Sequence, residues 1–366
     1  MNLVDLLLRH PDAYLLGEPT GTAVIRRCAE DFCVEENLGF EPDGAGEHQF
    51  LFIRKTGENT DWVAQQLARF TKTHPRDIGY AGKKDRHAVT DQWFSVRLPL
   101  GVQLDWSAFE TDSIQVLRQA RHSRKLKTGV LQGNRFSLRL RDVSHPDELQ
   151  QRFDQLKTSG VPNYFGEQRF GHNYGNISKG ELLIAGQLRD KNRQKRGLYI
   201  SALRSALFNQ VVSARIQQGV WNKVAPGDVL MLNASQSCFV CTDEAELDCQ
   251  SRLQQGDLHL TAPLWGQGGL MTQDAMAEFE QAVVSPWQDW CAGLEALGLR
   301  QERRAARVLL QAPLLEQESD SVWRISFGLP AGAFATSLLR ELCQPENEKA
   351  VSGCSAEVDE QHQSAN

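Results

Sequence analysis

The feature that most constrains the fold of this sequence is a strictly alternating segment at residues 134–141. Its apolar positions are Phe136, Leu138 and Leu140, and the residues around them are polar or basic. Because successive side chains of a strand point to opposite faces, the two sets would lie on opposite sides of one strand. The segment therefore predicts a strand with one face in a core and a cationic face opposite.

Further strands and a helix are predicted in the first third of the chain. Short aromatic and β-branched runs bounded by turn residues predict strands at 49–54, 78–81 and 93–98. Val63, Leu67 and Phe70 recur at helical spacing, which predicts a helix after the first strand. The polar residues 82–87 are expected to form a loop between rigid elements.

A Gly/Pro break at 158–162 precedes a second set of predicted elements. Ser201 is predicted as the N-cap of a helix that Gly219 would end, because Leu203 and Leu207 begin a helical stripe. The remaining predicted elements are a helix at 275–284, a strand at 323–327, a loop at 328–332 and a helix at 336–342.

The length and composition favour two soluble domains. The chain has 366 residues, of which 41% are hydrophobic and 23% charged, an ordinary balance for a soluble protein. Its start shows no basic n-region and no small-residue cleavage site, and no apolar window of about 18 residues occurs. We therefore expect a cytoplasmic protein with no membrane partner.

The eight cysteines show no framework spacing, so we expect reduced thiols rather than a disulfide scaffold. Cys238 and Cys241 form a C-x-x-C pair with Cys249 nearby, which is half of a zinc ligand set. No second pair follows at the spacing of a zinc site. We therefore predict no metal site.

Charge is distributed unevenly along a chain whose formal net charge is -6. Between Arg118 and Arg141 there are eight basic residues and no carboxylate. Such a run repels itself unless a polyanion neutralises it, so we predict contact with nucleic acid, the alternative being a solvated face. Residues 346–366 are acidic and poor in apolar side chains, which predicts a disordered tail.

Asp85 is the candidate catalytic residue, because it lies in a loop among cationic neighbours, Lys83, Lys84 and Arg86. Neighbouring positive charge keeps a carboxyl group ionised, which is the state that a nucleophile or electrostatic stabiliser needs. The alternative is a surface loop with ordinary ion pairs.

Three separated motifs give the sequence a resemblance to a known family. They are Gly82-x-Lys84-Asp85-x-x-Ala88-x-Thr90-x-Gln92, a run from His122 through Lys125 and Asn134 to Phe136 that is followed by 162–171, and a run from Leu329 through Phe334 to Leu342. In this order the chain resembles the pseudouridine synthases of the TruD type, which isomerise uridine in tRNA.

The resemblance implies an α+β fold: a catalytic domain on a mixed, largely antiparallel sheet, with an inserted α/β domain and an RNA-binding cleft. The catalytic domain would comprise 1–159 and 309–343, and the insertion 160–308. Residues 344–366 lie outside the likeness and are predicted to form a disordered acidic tail. The resemblance also implies a monomer without an obligate protein partner.

The resemblance further implies the site residues. Asp85 would be catalytic, and Phe32, Asn134 and Phe334 would line the target nucleoside. Phe136 is a further stacking candidate, and Lys84 could pair with the acid or with a phosphate. No cofactor and no metal would be needed, and the target would be uridine 13 in the D-arm.

The chemistry leaves alternatives open. The carboxylate could attack the anomeric carbon, remove a sugar proton to give a glycal, or act in a route through addition to the uracil ring. A non-catalytic RNA-binding or folding protein is the alternative function, and a nucleoside hydrolase that releases the base is a third.

Overall fold

The structure is a computed structural model that describes residues 3–233 and 235–347. The chain divides into two compact units. The helical unit comprises residues up to 20, 147–310 and 332–344, and the sheet unit comprises 21–146, 311–331 and the residues from 345. Each unit is therefore assembled from segments that are distant in the sequence.

The strands, in chain order, are β1 (Thr22–Ile25), β2 (Phe32–Asn37), β3 (His48–Thr56), β4 (Ile78–Tyr80), β5 (Val89–Arg97), β6 (Ile114–His122), β7 (Gly133–Arg141), β8 (Val161–Pro162), β9 (Val229–Leu232), β10 (Cys238–Val240), β11 (Leu258–Leu264), β12 (Glu302–Ala305), β13 (Arg307–Val308), β14 (Gln311–Ser319), β15 (Val322–Pro330) and β16 (Gln344–Asn347). The α-helices are α1 (Leu3–Arg9), α2 (Thr60–Thr71), α3 (Pro146–Ser159), α4 (Glu167–Phe170), α5 (Gly175–Ile184), α6 (Arg193–Gln217), α7 (Glu246–Gln254), α8 (Asp274–Val284), α9 (Gln288–Ala296) and α10 (Ala335–Leu342).

The sheet unit is built on one mixed sheet with the strand order β14-β15-β7-β2-β5-β3-β6. Along this path β2 and β5 are parallel, and the other neighbours are antiparallel. Helix α2 packs on the sheet, where Val63 and Leu67 join Leu51 and Phe94 in one apolar cluster. The predicted fold class, with its mixed and largely antiparallel sheet, is confirmed.

Strand β7 has the two faces that its alternating sequence predicts. Phe136, Leu138 and Leu140 are buried, whereas Arg135 is exposed and Arg139 is half-buried. The Phe136 ring stacks on Phe327 of β15 and meets Phe32 of β2 edge-on, so the apolar face of β7 packs inside the sheet unit.

The helical unit packs around α6, a helix of 25 residues. Its residues Leu203, Leu207 and Val211 are fully buried in a cluster that includes Trp287 and Trp290. A four-stranded sheet, β10-β9-β11-β12, and the β13-β8 pair complete the unit. The predicted Ser201 N-cap is wrong, because α6 begins after Asn192, whose side chain accepts from the backbone N–H groups of Gln194 and Lys195.

Two further predictions differ from the structure. Strand β15 extends to Pro330, into the predicted loop 328–332, because it pairs with β7 up to Gly133. Residues 344–347 form β16, which pairs with β1, so the predicted disordered tail is wrong for these four residues. The rest of the predicted tail, 348–366, lies outside the described residues. The predicted insertion at 160–308 stays a prediction. In this part of the chain the helical unit spans residues 147–310.

Two truncations should separate β16 from the residues that follow it. Ending the chain after Asn347 is expected to leave the urea midpoint of unfolding unchanged, because the removed residues include no large apolar side chain. Ending it after Cys343 removes the pairing of β16 with β1 and should lower the free energy of unfolding by about 1–3 kcal/mol. Equal midpoints for both truncated proteins would contradict a stabilising role of β16.

Candidate active site

The loop that carries Asp85 is fastened by side chains of α2 and β5. The amide of Gln92 donates to the carbonyl of Gly82 at 3.0 Å, and the Thr60 hydroxyl donates to Gln92 Oε1 at 2.8 Å. The same hydroxyl accepts from the backbone N–H of Lys84 at 3.0 Å. Since Thr60 and Gln92 are both buried, this network fixes the loop on its protein side.

Lys55 holds the backbone of Asp85 from beneath. Its Nζ donates to the carbonyl oxygens of Asp85 at 3.0 Å and Glu58 at 2.8 Å, and the residue is fully buried. Burial lowers the pKa of Lys55 to about 8, because the charged form loses its hydration. Lys55 therefore positions the chain at Asp85 rather than contacting the carboxylate.

The carboxylate of Asp85 is paired but accessible. Arg26 Nη2 lies 3.1 Å from Asp85 Oδ2, and the Asp85 side chain is 37% exposed. The guanidinium of Arg26 also lies over the Phe32 ring, with Cζ 3.9 Å from the ring centroid. Arg26 has a φ of 61°, a left-handed conformation that few residues other than glycine adopt, and it is one of seven such non-glycine residues in the described part of the chain.

The parallel pairing of β2 and β5 explains why Arg26, Phe32 and Asp85 meet. Parallel strands begin at the same edge of a sheet. Phe32 begins β2 and the Asp85 loop leads into β5, so both lie at that edge. The structure therefore brings Asp85 and Phe32 to one edge of the sheet, where Arg26 contacts both.

Asn134 and Phe136 lie on one face of β7, opposite Glu36 and Val34 of β2. The Phe136 ring is 8% exposed and stacks on Phe327, with centroids 5.3 Å apart. The Oδ1 atom of Asn134 is buried and has no hydrogen-bond partner among the described residues. Phe136 thus packs as a core side chain, whereas Asn134 presents an unused acceptor.

Lys84 is paired with Glu36 and not with the Asp85 carboxylate. Its Nζ lies 2.5 Å from Glu36 Oε1, and Glu36 Oε2 accepts from the backbone N–H of Trp93 at 2.9 Å. The Glu36 side chain is fully buried and that of Lys84 is 7% exposed. The predicted contact of Lys84 with the acid is therefore replaced by a buried ion pair with Glu36.

Phe334 belongs to the helical unit, where it precedes α10. The ring is half-buried and lies 6.0 Å from the ring of Phe165, centroid to centroid. A Cβ on Gly166 would lie 3.8 Å from the Phe334 ring and only 2.9 Å from Thr336 Oγ1, so the glycine allows close packing here. The predicted role of Phe334 as a substrate contact stays a prediction.

The basic run from Arg118 to Arg141 is partly neutralised by acids from other segments. Three of its arginines form ion pairs, Arg118 with Glu41, Arg139 with Glu318 and Arg141 with Asp31. Arg121 and Lys125 donate to backbone carbonyls instead. The inference that only a polyanion could balance this run is therefore wrong in its general form.

Three basic side chains of the run remain available to bind an anion. Arg124, Lys127 and Arg135 are exposed and form no ion pair within the described part of the chain. Arg124 and Lys127 line a cavity of about 580 Å³ together with Phe40 and His122. This cavity combines unpaired positive charge with aromatic walls, a surface suited to RNA.

The cysteine cluster of the helical unit does not resemble a metal centre. Cys241 and Cys249 are buried in an apolar cluster, and burial raises the pKa of Cys241 to about 12. Over residues 3–233 and 235–347 no group of three or more His, Cys, Asp or Glu side chains is placed to hold a metal ion.

The helices of the described residues were also compared with the length and apolar character that a membrane span requires. None of them meets both requirements.

Comparison with known proteins identifies the family. The model of the family tRNA pseudouridine synthase D (TruD) matches residues 11–194 and 185–342. The chain belongs to the TruD family. It is thus a pseudouridine synthase by family, an isomerase, and the resemblance drawn from the three motifs is confirmed.

Relatives of this TruD-family chain match almost its full length. The tRNA pseudouridine synthase D of Aeromonas hydrophila is 49% identical over 334 residues, covering 91% of this chain and 94% of that protein. That of Shewanella oneidensis is 46% identical over 338 residues, covering 92% and 90%. A crystal structure assigned to TruD, from Methanosarcina mazei, shares the fold with a TM-score of 0.73 at 19% identity, covering 92% of this chain and 97% of that one.

Sequence reasoning missed Arg26, Lys55 and Glu36. Lys55 follows Leu51 and Ile53 at every second position of β3, and this alternation is the one local sign that its charge is buried. Arg26 lies 59 residues from Asp85, and Glu36 lies 48 residues from Lys84. Their pairing depends on the register of β2 beside β5 and β7, which the local sequence does not reveal.

Proposed function

We propose that this TruD-family chain converts a uridine of tRNA to pseudouridine and that Asp85 is the catalytic carboxylate. The observation that carries the proposal is the geometry of Asp85: its backbone is held by Lys55, and its exposed carboxylate is oriented by Arg26. A rigidly held, solvent-accessible carboxylate can reach a sugar that enters from outside.

The reaction is an isomerisation with no net gain or loss of atoms. The N1–C1′ bond breaks, the uracil turns, and a C5–C1′ bond forms, while C5 loses a proton and N1 ends with one. Asp85 can attack C1′ and later leave, or remove the C2′ proton to give a glycal. No electron acceptor and no group donor takes part, so the balance requires no cofactor.

The remaining site residues have separate proposed roles. Reaching the base requires a nucleotide that is turned out of the RNA stack and recognised at its edge. The unpartnered Oδ1 of Asn134 suits the N3–H of uracil, and the half-buried ring of Phe334 suits stacking. Phe32 supports the Arg26 guanidinium, and Phe136 supports Phe32 edge-on, with centroids 6.3 Å apart.

The target, cellular location and assembly state are also proposals. We propose uridine 13 of the D-arm as the target, in the cytoplasm, with the protein acting as a monomer. These follow from the family likeness rather than from a contact in the structure.

The test is incubation of tRNA transcripts with the protein, followed by carbodiimide mapping and mass measurement. A synthase leaves the mass of the incubated RNA unchanged. After carbodiimide treatment, reverse transcription then stops at one modified uridine. Loss of the base would show a nucleoside hydrolase, and neither change would show a binding protein. A transcript with cytidine at position 13 should give no stop, and a stop elsewhere would overturn the proposed target.

Replacing Arg124 and Lys127 by alanine is expected to weaken tRNA binding whatever the sequence of the RNA. Both are exposed and unpaired with described acids, so each can release counterions from a phosphate. We expect about five-fold in Kd for each, or about 1 kcal/mol, and a salt slope reduced by about 0.7–0.9 for each lost contact.

Arg118→Ala is the matched control, because Arg118 is exposed in the same run but paired with Glu41 at 2.9 Å. It should leave the slope of log Kd against log salt unchanged. If Arg124→Ala and Lys127→Ala also kept the salt slope of the unsubstituted protein, the RNA would lie away from this cavity.

A further inference from the structure

Two arginines of the helical unit share one aromatic ring. Cζ of Arg304 lies 4.2 Å from the centroid of the Phe165 ring, and Cζ of Arg169 lies 5.4 Å from the same centroid. Neither guanidinium forms an ion pair with a carboxylate in the described part of the chain. Both arginines are half-buried, and charged groups withdrawn from water in this way are normally paired.

The local environment disfavours this double positive charge. Burial, with a smaller contribution from neighbouring Arg169, lowers the pKa of Arg304 to about 10. Burial also lowers the pKa of Arg169. The ring of Phe165 offsets part of this loss through cation–π contact, but a ring carries no net charge. An anion in contact with both guanidinium groups would remove the repulsion.

The two side chains have donors to spare. Arg169 Nη1 donates to Ser201 Oγ at 3.3 Å, and no described residue accepts from its other nitrogens. Arg304 Nη2 donates to Asn163 Oδ1 at 2.7 Å and to the Gly332 carbonyl at 2.9 Å, while its buried Nε has no partner among the described residues. The unused donors of these two planar guanidinium groups match the several acceptor oxygens of a phosphate.

The pair also adjoins a proposed substrate contact. The Phe165 ring that carries both arginines lies 6.0 Å from the Phe334 ring. Arg304 bonds the carbonyl of Gly332, two residues before Phe334. An anion bound here would therefore lie close to a nucleoside that stacks on Phe334.

We propose that Arg169 and Arg304 together bind one phosphate of the RNA substrate, beside the nucleoside that Phe334 contacts. The inference rests on the proposed function, because that function supplies the RNA. A phosphodiester is the anion that an RNA presents at every nucleotide, and arginine binds it with two parallel hydrogen bonds. The alternative occupant is a carboxylate of a protein partner, which would not respond to changes in the RNA backbone.

The experiment combines Arg169→Gln with backbone-modified RNA. A synthetic D-arm stem-loop is prepared with a single uncharged methylphosphonate at each position around the target uridine in turn, and Kd is measured for each RNA. One position should weaken binding to the unsubstituted protein about ten-fold, or about 1.4 kcal/mol. Arg169→Gln should bind the unmodified RNA about ten-fold more weakly and show no further loss at that same position.

Controls separate phosphate binding from a structural role. Arg252→Gln in the same unit should keep the unsubstituted behaviour, because Arg252 is paired with Asp257 at 2.7 Å. Arg169→Lys should retain part of the affinity through its charge. Arg304→Gln should become insensitive at the same phosphate, but Arg304 also holds Asn163 and Gly332, so Arg169→Gln carries the test if Arg304→Gln unfolds.

The outcome that overturns the inference is equal sensitivity of Arg169→Gln and the unsubstituted protein at every position. A folded Arg169→Gln protein that binds unmodified RNA with unchanged affinity would overturn it as well. Because the experiment measures affinity, its result is independent of turnover. The unsubstituted protein could form pseudouridine while the effect of Arg169→Gln stays independent of every neutralised phosphate. That result would reject this inference and leave the proposed function standing.

Discussion

The Asp85→Asn protein is expected to form no measurable pseudouridine and to bind tRNA within about three-fold of the unsubstituted protein. The amide keeps the shape of the carboxylate and can still accept from Arg26, but it cannot serve as a nucleophile or as a base. We expect the single-turnover rate to fall by at least about 1,000-fold, or about 4 kcal/mol of transition-state stabilisation.

Asp142→Asn is the matched control, because Asp142 pairs with Arg27 on the same unit and is exposed. Asp142 has a φ of 52°, which asparagine tolerates, so this variant should fold and keep full activity. If Asp85→Asn retained a tenth of the unsubstituted rate, a loss of only about 1.4 kcal/mol, Asp85 could not be the essential group.

The elements around the site could be predicted because their sequence patterns are local. The alternation of Phe136, Leu138 and Leu140 gave β7, and the spacing of Val63 and Leu67 gave α2. Each pattern reflects one face of one element, which contiguous residues report directly. The loop of Asp85 followed, since it lies between two such elements.

The charge environment could not be predicted, because cross-strand neighbours determine it. Arg139 is paired with Glu318, which lies 179 residues away, through the pairing of β7 with β15 and β15 with β14. Arg141 is paired with Asp31 at a separation of 110 residues. A window that counts cations between residues 118 and 141 includes neither acid, so it overstates the free positive charge.

The start of α6 shows the same limit at shorter range. Leu203 and Leu207 indicate the buried stripe, but Ser201 lies inside the helix and not at its end. The turns before it are largely exposed, so no apolar periodicity marks them. Asn192 is the residue whose side chain caps the helix, and its signal is a single polar residue in a polar stretch.

Lys84→Met is expected to destabilise the sheet unit by about 3–5 kcal/mol and to have little direct effect on RNA affinity. Removing the ammonium leaves the fully buried Glu36 carboxylate without its cation, and an uncompensated buried charge is strongly destabilising. The measurement is the free energy of unfolding from urea titration, together with the salt dependence of tRNA binding for the folded fraction.

The double variant Lys84→Met, Glu36→Gln tests whether the pair itself causes the loss. The amide that replaces the Glu36 carboxylate is neutral, and its carbonyl can still accept from the backbone N–H of Trp93, so this variant should recover at least half of the lost stability. The salt slope should remain that of the unsubstituted protein in both variants, because a lysine held by Glu36 releases no counterion from RNA. A Lys84→Met protein with an unchanged urea midpoint but a reduced salt slope would instead show that Lys84 leaves Glu36 to bind a phosphate. The sequence-based prediction of a phosphate contact would then hold for the RNA-bound state.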